Sequence, residues 1–102
     1  MKNILSIDTA SASNIQVTLK KESDLYQKES TQKLGSQVLL NLITELLAEN
    51  KLKFEDLTEI EVNTGPGSFT GLKVGVAVAN ALGFSLNVPV NGKKAEIDLK
   101  YV

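Results

Sequence analysis

Neither cysteine nor histidine occurs in this chain, and their absence removes whole classes of chemistry. No disulfide and no thiolate nucleophile can form. No serine or cysteine can be activated by an imidazole, so peptidase chemistry of the Ser-His or Cys-His kind is excluded. Zinc sites with nitrogen or sulfur ligands go with it. Any metal would be held by oxygens alone, as Mg²⁺ prefers. Acid–base work would fall to Asp, Glu, Lys or Tyr, and none of these stands in a suggestive pair. No sign of charge dominates: 11 basic and 12 acidic residues are mixed along the chain, for a net charge of −1. There is accordingly no basic patch for direct nucleic-acid contact and no polybasic run for a membrane surface. Met1-Lys2-Asn3 leads straight into a strand pattern, so no signal peptide is expected. A cytoplasmic location fits a chain without cysteine.

Length sets the next bound. The 102 residues make one domain, 1–102, which buries roughly 65% of the surface its unfolded chain exposes. One core is feasible; a second layer around a fully apolar element is not.

The most informative stretch is Asn63–Gly75, N-T-G-P-G-S-F-T-G-L-K-V-G. A strand pattern at Ile60 and Val62 runs into a Gly-Pro-Gly turn, and a helix pattern follows. Gly65 and Gly67 permit backbone conformations closed to other residues, Pro66 fixes one φ between them, and Ser68 or Thr70 can cap the helix. Backbone donors at the positive end of a helix suit an anion. The same loop also serves as a tight structural corner.

The helix pattern after the loop, Phe69–Leu86, is apolar nearly all round, with only Lys73 and Asn80 strongly polar between Gly71 and Phe84. It is short and interrupted for a membrane span, which needs about 20 apolar residues. Gly71, Gly75, Ala79 and Gly83 recur every fourth residue and form a side-chain-poor ridge suited to close approach. Three glycines cost about 1 kcal/mol each in helix propensity. The expectation is that a second molecule covers this helix through the ridge, the alternative being that the ridge packs only on this chain's own sheet. On the first reading Gly75→Leu abolishes association and leaves the fold largely intact.

The remaining pattern predicts the other elements. Ile4–Ile7 reads as a central strand, followed by an Asp8–Ser13 turn. Ile15, Val17 and Leu19 alternate with polar residues as a second strand, and Leu25–Ser30 is a weaker third. A helix starts near Ser36 as a plausible cap, with Leu39, Leu42, Ile43, Leu46 and Leu47 at helical spacing, and closes at Asn50-Lys51. Val88-Pro89-Val90 reads as a short edge strand and Asn91-Gly92 as a hairpin turn. A last amphipathic strand runs over Ala95, Ile97, Leu99 and Tyr101. The order is β-β-β-α-β-α-β-β, an α/β fold with a mixed five- to six-stranded sheet and helices against it.

With I-L-S-I-D-T-A at residues 4–10 and T-G-P-G-S-F-T-G-L-K-V-G at 64–75, this order resembles the TsaB (YeaZ) family. The resemblance implies the N-terminal lobe of a ribonuclease-H-like, actin-like ATPase fold, with the family's C-terminal lobe absent. It implies a non-catalytic role in threonylcarbamoyl-adenosine modification of tRNA, beside a TsaD-like partner that performs the transfer. It places the association surface on the helices at roughly Ser36–Glu49 and Thr70–Phe84. The candidate interface residues are Leu39, Ile43, Leu47, Gly71, Leu72, Gly75, Val78, Ala79 and Leu82, with a homodimer expected when the partner is missing. In the superfamily nucleotide lies between two lobes. Asp8, Thr9, Gly65, Gly67 and Ser68 are therefore the weak candidates for ATP contact, with ATP and Mg²⁺ at a partner interface and no resident cofactor in the chain itself. Lys73 stands where the family usually has arginine, and the histidine often found before the first helix is missing.

A second reading is a single-lobe protein that binds or hydrolyses nucleotide, with Asp8 orienting Mg²⁺ or water. The loop is not a Walker A motif, because no Gly-Lys-Ser/Thr follows at the required spacing. It is a poor dinucleotide fingerprint as well: Thr70 holds the third glycine position, and no acidic residue stands about 20 positions on.

Overall fold

The computed structural model describes residues 1–11, 13–32 and 35–98. Strand alternation sets the sheet. β1 (Asn3–Ser11) buries Leu5, Ile7 and Thr9 on one face, and β2 (Asn14–Lys21) buries Ile15, Val17 and Leu19 on the same face. They pair antiparallel, with Leu5 opposite Leu19 and Ile7 opposite Val17. β3 (Asp24–Ser30) continues the meander antiparallel to β2. β4 (Glu59–Val62) lies parallel to β1, with Ile60 opposite Leu5 and Val62 opposite Ile7. The four-stranded order is β3-β2-β1-β4, so the helical crossover lands β4 on the far side of β1, as a right-handed connection favours.

Both helices cover the buried face. α1 (Ser36–Glu49) packs on β2 and β3, and α2 (Phe69–Leu86) packs on β1 and β4. Leu39, Leu42, Ile43, Leu46 and Leu47 of α1 form one core with Leu5, Ile7, Ile15, Val17, Leu19 and Ile60. The start of α1 falls where the sequence places it, but its cap is Gly35 and no side chain caps it. Asn50 closes the helix, its Nδ2 donating to the Leu46 carbonyl at 2.9 Å. Lys28 ties β3 to α1: its Nζ lies 2.6 Å from Glu49 Oε2 and 3.7 Å from Glu45 Oε1. The hydrogen bond to Glu49, helped by the charge of both carboxylates, raises the Lys28 pKa above its ordinary 10.5.

Among the described residues the sheet has four strands, not the expected five to six. Val88–Val90 contributes one isolated parallel bridge, Ile60 to Val90. The Asn91-Gly92 turn forms with φ of 51° and 81° and allows a single Val90–Lys93 bridge, but residues 94–98 form no strand. Leu99 and Tyr101 of the expected strand lie outside the described residues. Asn91 Oδ1 accepts from the Val62 N–H at 2.8 Å and its Nδ2 donates to the Val62 carbonyl at 3.0 Å. One asparagine thus occupies both groups that a further strand would need at the end of β4.

Candidate functional site

The glycine loop closes over the end of β1. The Asn63 N–H donates to the Ile7 carbonyl at 3.0 Å, continuing the β1–β4 ladder. Asn63 then bends the chain: its Oδ1 accepts from the Gly65 N–H at 3.0 Å, an Asx turn. Its Nδ2 donates to Asp8 Oδ1 at 3.2 Å, and the same oxygen accepts from the Ala10 N–H at 3.0 Å. Gly65 has φ of 122°, which favours glycine. At Gly67 the need is close approach, since a Cβ there would sit 2.7 Å from the Ala10 Cβ. The Ser68 N–H donates to the Ala10 carbonyl at 2.8 Å. Of the two cap candidates, Ser68 caps α2, its Oγ accepting from the Gly71 N–H at 3.3 Å.

The N–H groups of Gly65, Ser68 and Gly71 are therefore engaged within the chain, and the loop reads as a structural corner. Asp8 is exposed and sits with Ser6, Gln16, Thr18, Glu61 and Asn63 around a polar depression on the uncovered sheet face. Ser6 Oγ donates to Glu61 Oε1 there at 2.9 Å. Among the described residues no group of three acidic side chains is placed to hold a metal.

Thr9 is corrected as a ligand candidate. Its side chain is fully buried, and its hydroxyl donates to the Gly71 carbonyl at 2.6 Å. Strand alternation is the cause: Asp8 faces the open side and Thr9 the core.

The glycine ridge is corrected too. A Cβ on Gly75 would collide with Thr9 Oγ1, and one on Gly83 with Val90 Cγ2. The ridge seats α2 on this chain's own sheet. The propensity cost of about 1 kcal/mol per glycine is offset by burying Leu72, Val76 and Val78, each worth about 1.5–3 kcal/mol. By length and apolar composition alone α2 could cross a membrane, but this packing makes it a core helix.

The same packing removes most of the expected interface residues from reach. Leu39, Ile43, Leu47, Gly71, Leu72, Gly75, Val78 and Ala79 are buried inside the chain, and only Leu82 stays half-exposed. An apolar period shows which helix face is buried and not what buries it. What α2 turns outward is Phe69, Lys73, Ala77, Ala81 and Phe84. Phe84 is 92% exposed and Phe69 51%, with Lys73 Nζ 5.4 Å from the Phe69 ring centre. Asn80, between the two faces, binds Ile97 through both backbone groups, each at 2.9 Å. The side-chain bonds of Asn63, Asn80 and Asn91 were not read from the sequence, which places Asn91 only in a turn; their turn and mid-helix positions were the available signal.

An antiparallel three-strand meander, a helical crossover to a parallel fourth strand and both helices on one face define a ribonuclease-H-like lobe of the actin-like type. Comparison with known proteins agrees. Residues 19–92 match the family model described as TsaD: tRNA N6-adenosine threonylcarbamoyltransferase. The chain is similar to the tRNA threonylcarbamoyladenosine biosynthesis protein TsaB of Buchnera aphidicola subsp. Schizaphis graminum, 32% identical over 90 residues, covering 87% of this chain and 42% of that protein. The TsaB of Bacillus subtilis is also 32% identical over 90 residues, covering 86% and 39%. Among solved structures, YeaZ from Pseudomonas aeruginosa superposes with a TM-score of 0.81 at 30% identity, covering 88% of this chain and 42% of that one. The chain thus belongs to the TsaD family, and within it to the TsaB (YeaZ) proteins. It spans about two fifths of the length of the relatives it matches.

Proposed function

We propose that this chain is a non-catalytic, cytoplasmic subunit supporting threonylcarbamoyladenosine formation in tRNA. It would do so by docking on a tRNA N6-adenosine threonylcarbamoyltransferase through the outward face of α2. The observation that carries the docking is Phe84, 92% exposed on a helix whose outward line also holds Ala77 and Ala81. Two alanines beside an exposed aromatic let another helix approach closely and give it a ring to bury. The lack of histidine and cysteine and the inward-turned Thr9 support a role without catalysis. The charge balance favours protein over tRNA as the direct contact.

The test is Phe84→Asp, with sedimentation equilibrium against the purified transferase of the same organism. Surface substitutions of this kind leave stability within about 0.5 kcal/mol, whereas loss of a central aromatic costs about 2 kcal/mol or more of binding. Unchanged affinity would overturn the assignment of the face, and no association of the unsubstituted chain would overturn the docking itself. A homodimer burying about 800 Å² per partner is the outcome to look for when the chain is alone.

A second reading draws on the exposed Asp8 beside the depression. Nucleotide with Mg²⁺ would bind there with a partner completing the site. Calorimetry of the complex with ATP and Mg²⁺ tests it, and absence of heat at millimolar ligand removes it.

A further inference from the structure

We propose that residues 93–98 are a strap lying in cis along one edge of the outward face of α2, latched by Asn80 and displaced when the partner docks. The inference rests on the docking face assigned above and adds a competitor for it. Three observations carry it. The first is the latch. Asn80 Nδ2 donates to the Ile97 carbonyl and Asn80 Oδ1 accepts from the Ile97 N–H, both at 2.9 Å. A primary amide presents one donor and one acceptor side by side and so reads an extended backbone as a neighbouring strand would. The second is placement. The Ile97 side chain packs against the edge of the core, and the segment lies along outward residues of the docking face. Ala77, Ala81 and Phe84 line a cleft with Lys94 and Glu96. Lys73 and Ala77 line another with Ile97 and Asp98. A partner reaching Ala77 meets the strap.

The third is how little holds it. Lys93, Lys94, Ala95, Glu96 and Asp98 are exposed, and Ile97 is the single half-buried residue of the segment. Open clefts on both sides show that the strap covers α2 without sealing it. The shared family segment ends at residue 92, so the strap lies just beyond what this chain has in common with the family model. Beyond the Val90–Lys93 bridge at its root, the segment is held by one amide and one side chain and is built to leave.

Two variants of the full chain test it. Asn80→Ala removes the latch from α2. Ile97→Pro removes the N–H and side chain from the strap and leaves α2 untouched. Hydrogen exchange at the Ile97 amide reads the latch directly; sedimentation equilibrium with the purified transferase reads competition. The expected result is a protected Ile97 amide in the unsubstituted chain and loss of that protection in Asn80→Ala. Both variants should bind the transferase about tenfold more tightly, the scale of two net hydrogen bonds. An Ile97 amide that exchanges freely in the unsubstituted chain overturns the strap. Equal affinities across the three proteins overturn the competition. If no form associates while Ile97 stays protected, the docking reading fails and the competitor role falls with it; the exchange data keep that case apart from failure of the latch.

Discussion

The Thr9 hydroxyl donates to the Gly71 carbonyl at 2.6 Å, and its oxygen fills the place a Gly75 β-carbon would take. One buried threonine on β1 thereby fixes both the height and the register of α2. Gly75→Ala gains about 1 kcal/mol of helix propensity but overpacks a β-branched side chain that is itself bonded in place. A net loss of about 1–2 kcal/mol follows, read by urea denaturation. In a Thr9→Ala background the clash is gone, so the same substitution should be near neutral or stabilising. Strictly additive costs in the double-mutant cycle would refute this geometry. Gly75→Leu should prevent folding, in contrast to the expectation from the ridge alone.

Asn91 serves the end of β4 with two hydrogen bonds and adopts φ of 51°. Asn91→Gly tolerates the turn and loses both bonds; a loss of about 1–3 kcal/mol is expected as the Val62 groups go unpaired. Asn91→Asp keeps the acceptor but turns a carboxylate oxygen toward the Val62 carbonyl, and should be at least as damaging at neutral pH. Thermal unfolding of the three proteins checks the order.

The cap assignment separates two neighbouring hydroxyls. Ser68→Ala should cost about 0.5–2 kcal/mol, while Thr70→Ala, at an exposed position, should stay within about 0.5 kcal/mol. Equal effects would place the cap elsewhere.

Lys28 gives a pH signature. Its folded pKa is raised above 10.5, chiefly by the hydrogen bond to Glu49. The folded state therefore holds that proton more tightly than the unfolded chain does. The contribution is complete below 10.5 and fades as pH climbs through the higher folded value. The Tm difference between the unsubstituted chain and Lys28→Met should be level from neutral pH upward and narrow only in that alkaline window. A difference that vanishes well below it would contradict the pair.

Much of this fold was legible in the residues. Alternation at Ile15, Val17 and Leu19, helical spacing from Leu39 to Leu47 and the glycine turn before Phe69 placed β2, α1 and α2, whereas β1 runs on to Ser11 through residues that read as a turn and a short 3₁₀ turn forms over Phe54–Asp56. What could not be read was which surface each apolar face meets. Gly71, Gly75 and Gly83 look alike whether they meet a sheet or a second helix, because a missing side chain records closeness and not its partner. The end of the sheet was hidden for a related reason: the Ala95–Tyr101 alternation predicts a strand, but residues 94–98 form none, and the Ile97 backbone is paired with the Asn80 side chain instead. The Asp8-Thr9 pair is split by the strand. Two adjacent residues on a strand cannot both face a ligand, and only Asp8 is in the open.

The closure of β4 by Asn91 decides how copies of this chain could join through their backbones. Unlimited edge-to-edge growth needs two open borders per molecule; among the described residues the outer side of β4 is taken by Pro89 and Asn91, and only β3 offers an open one. Pairing through these strands would bring β3 against β3 across a twofold axis, a contact that closes at two chains.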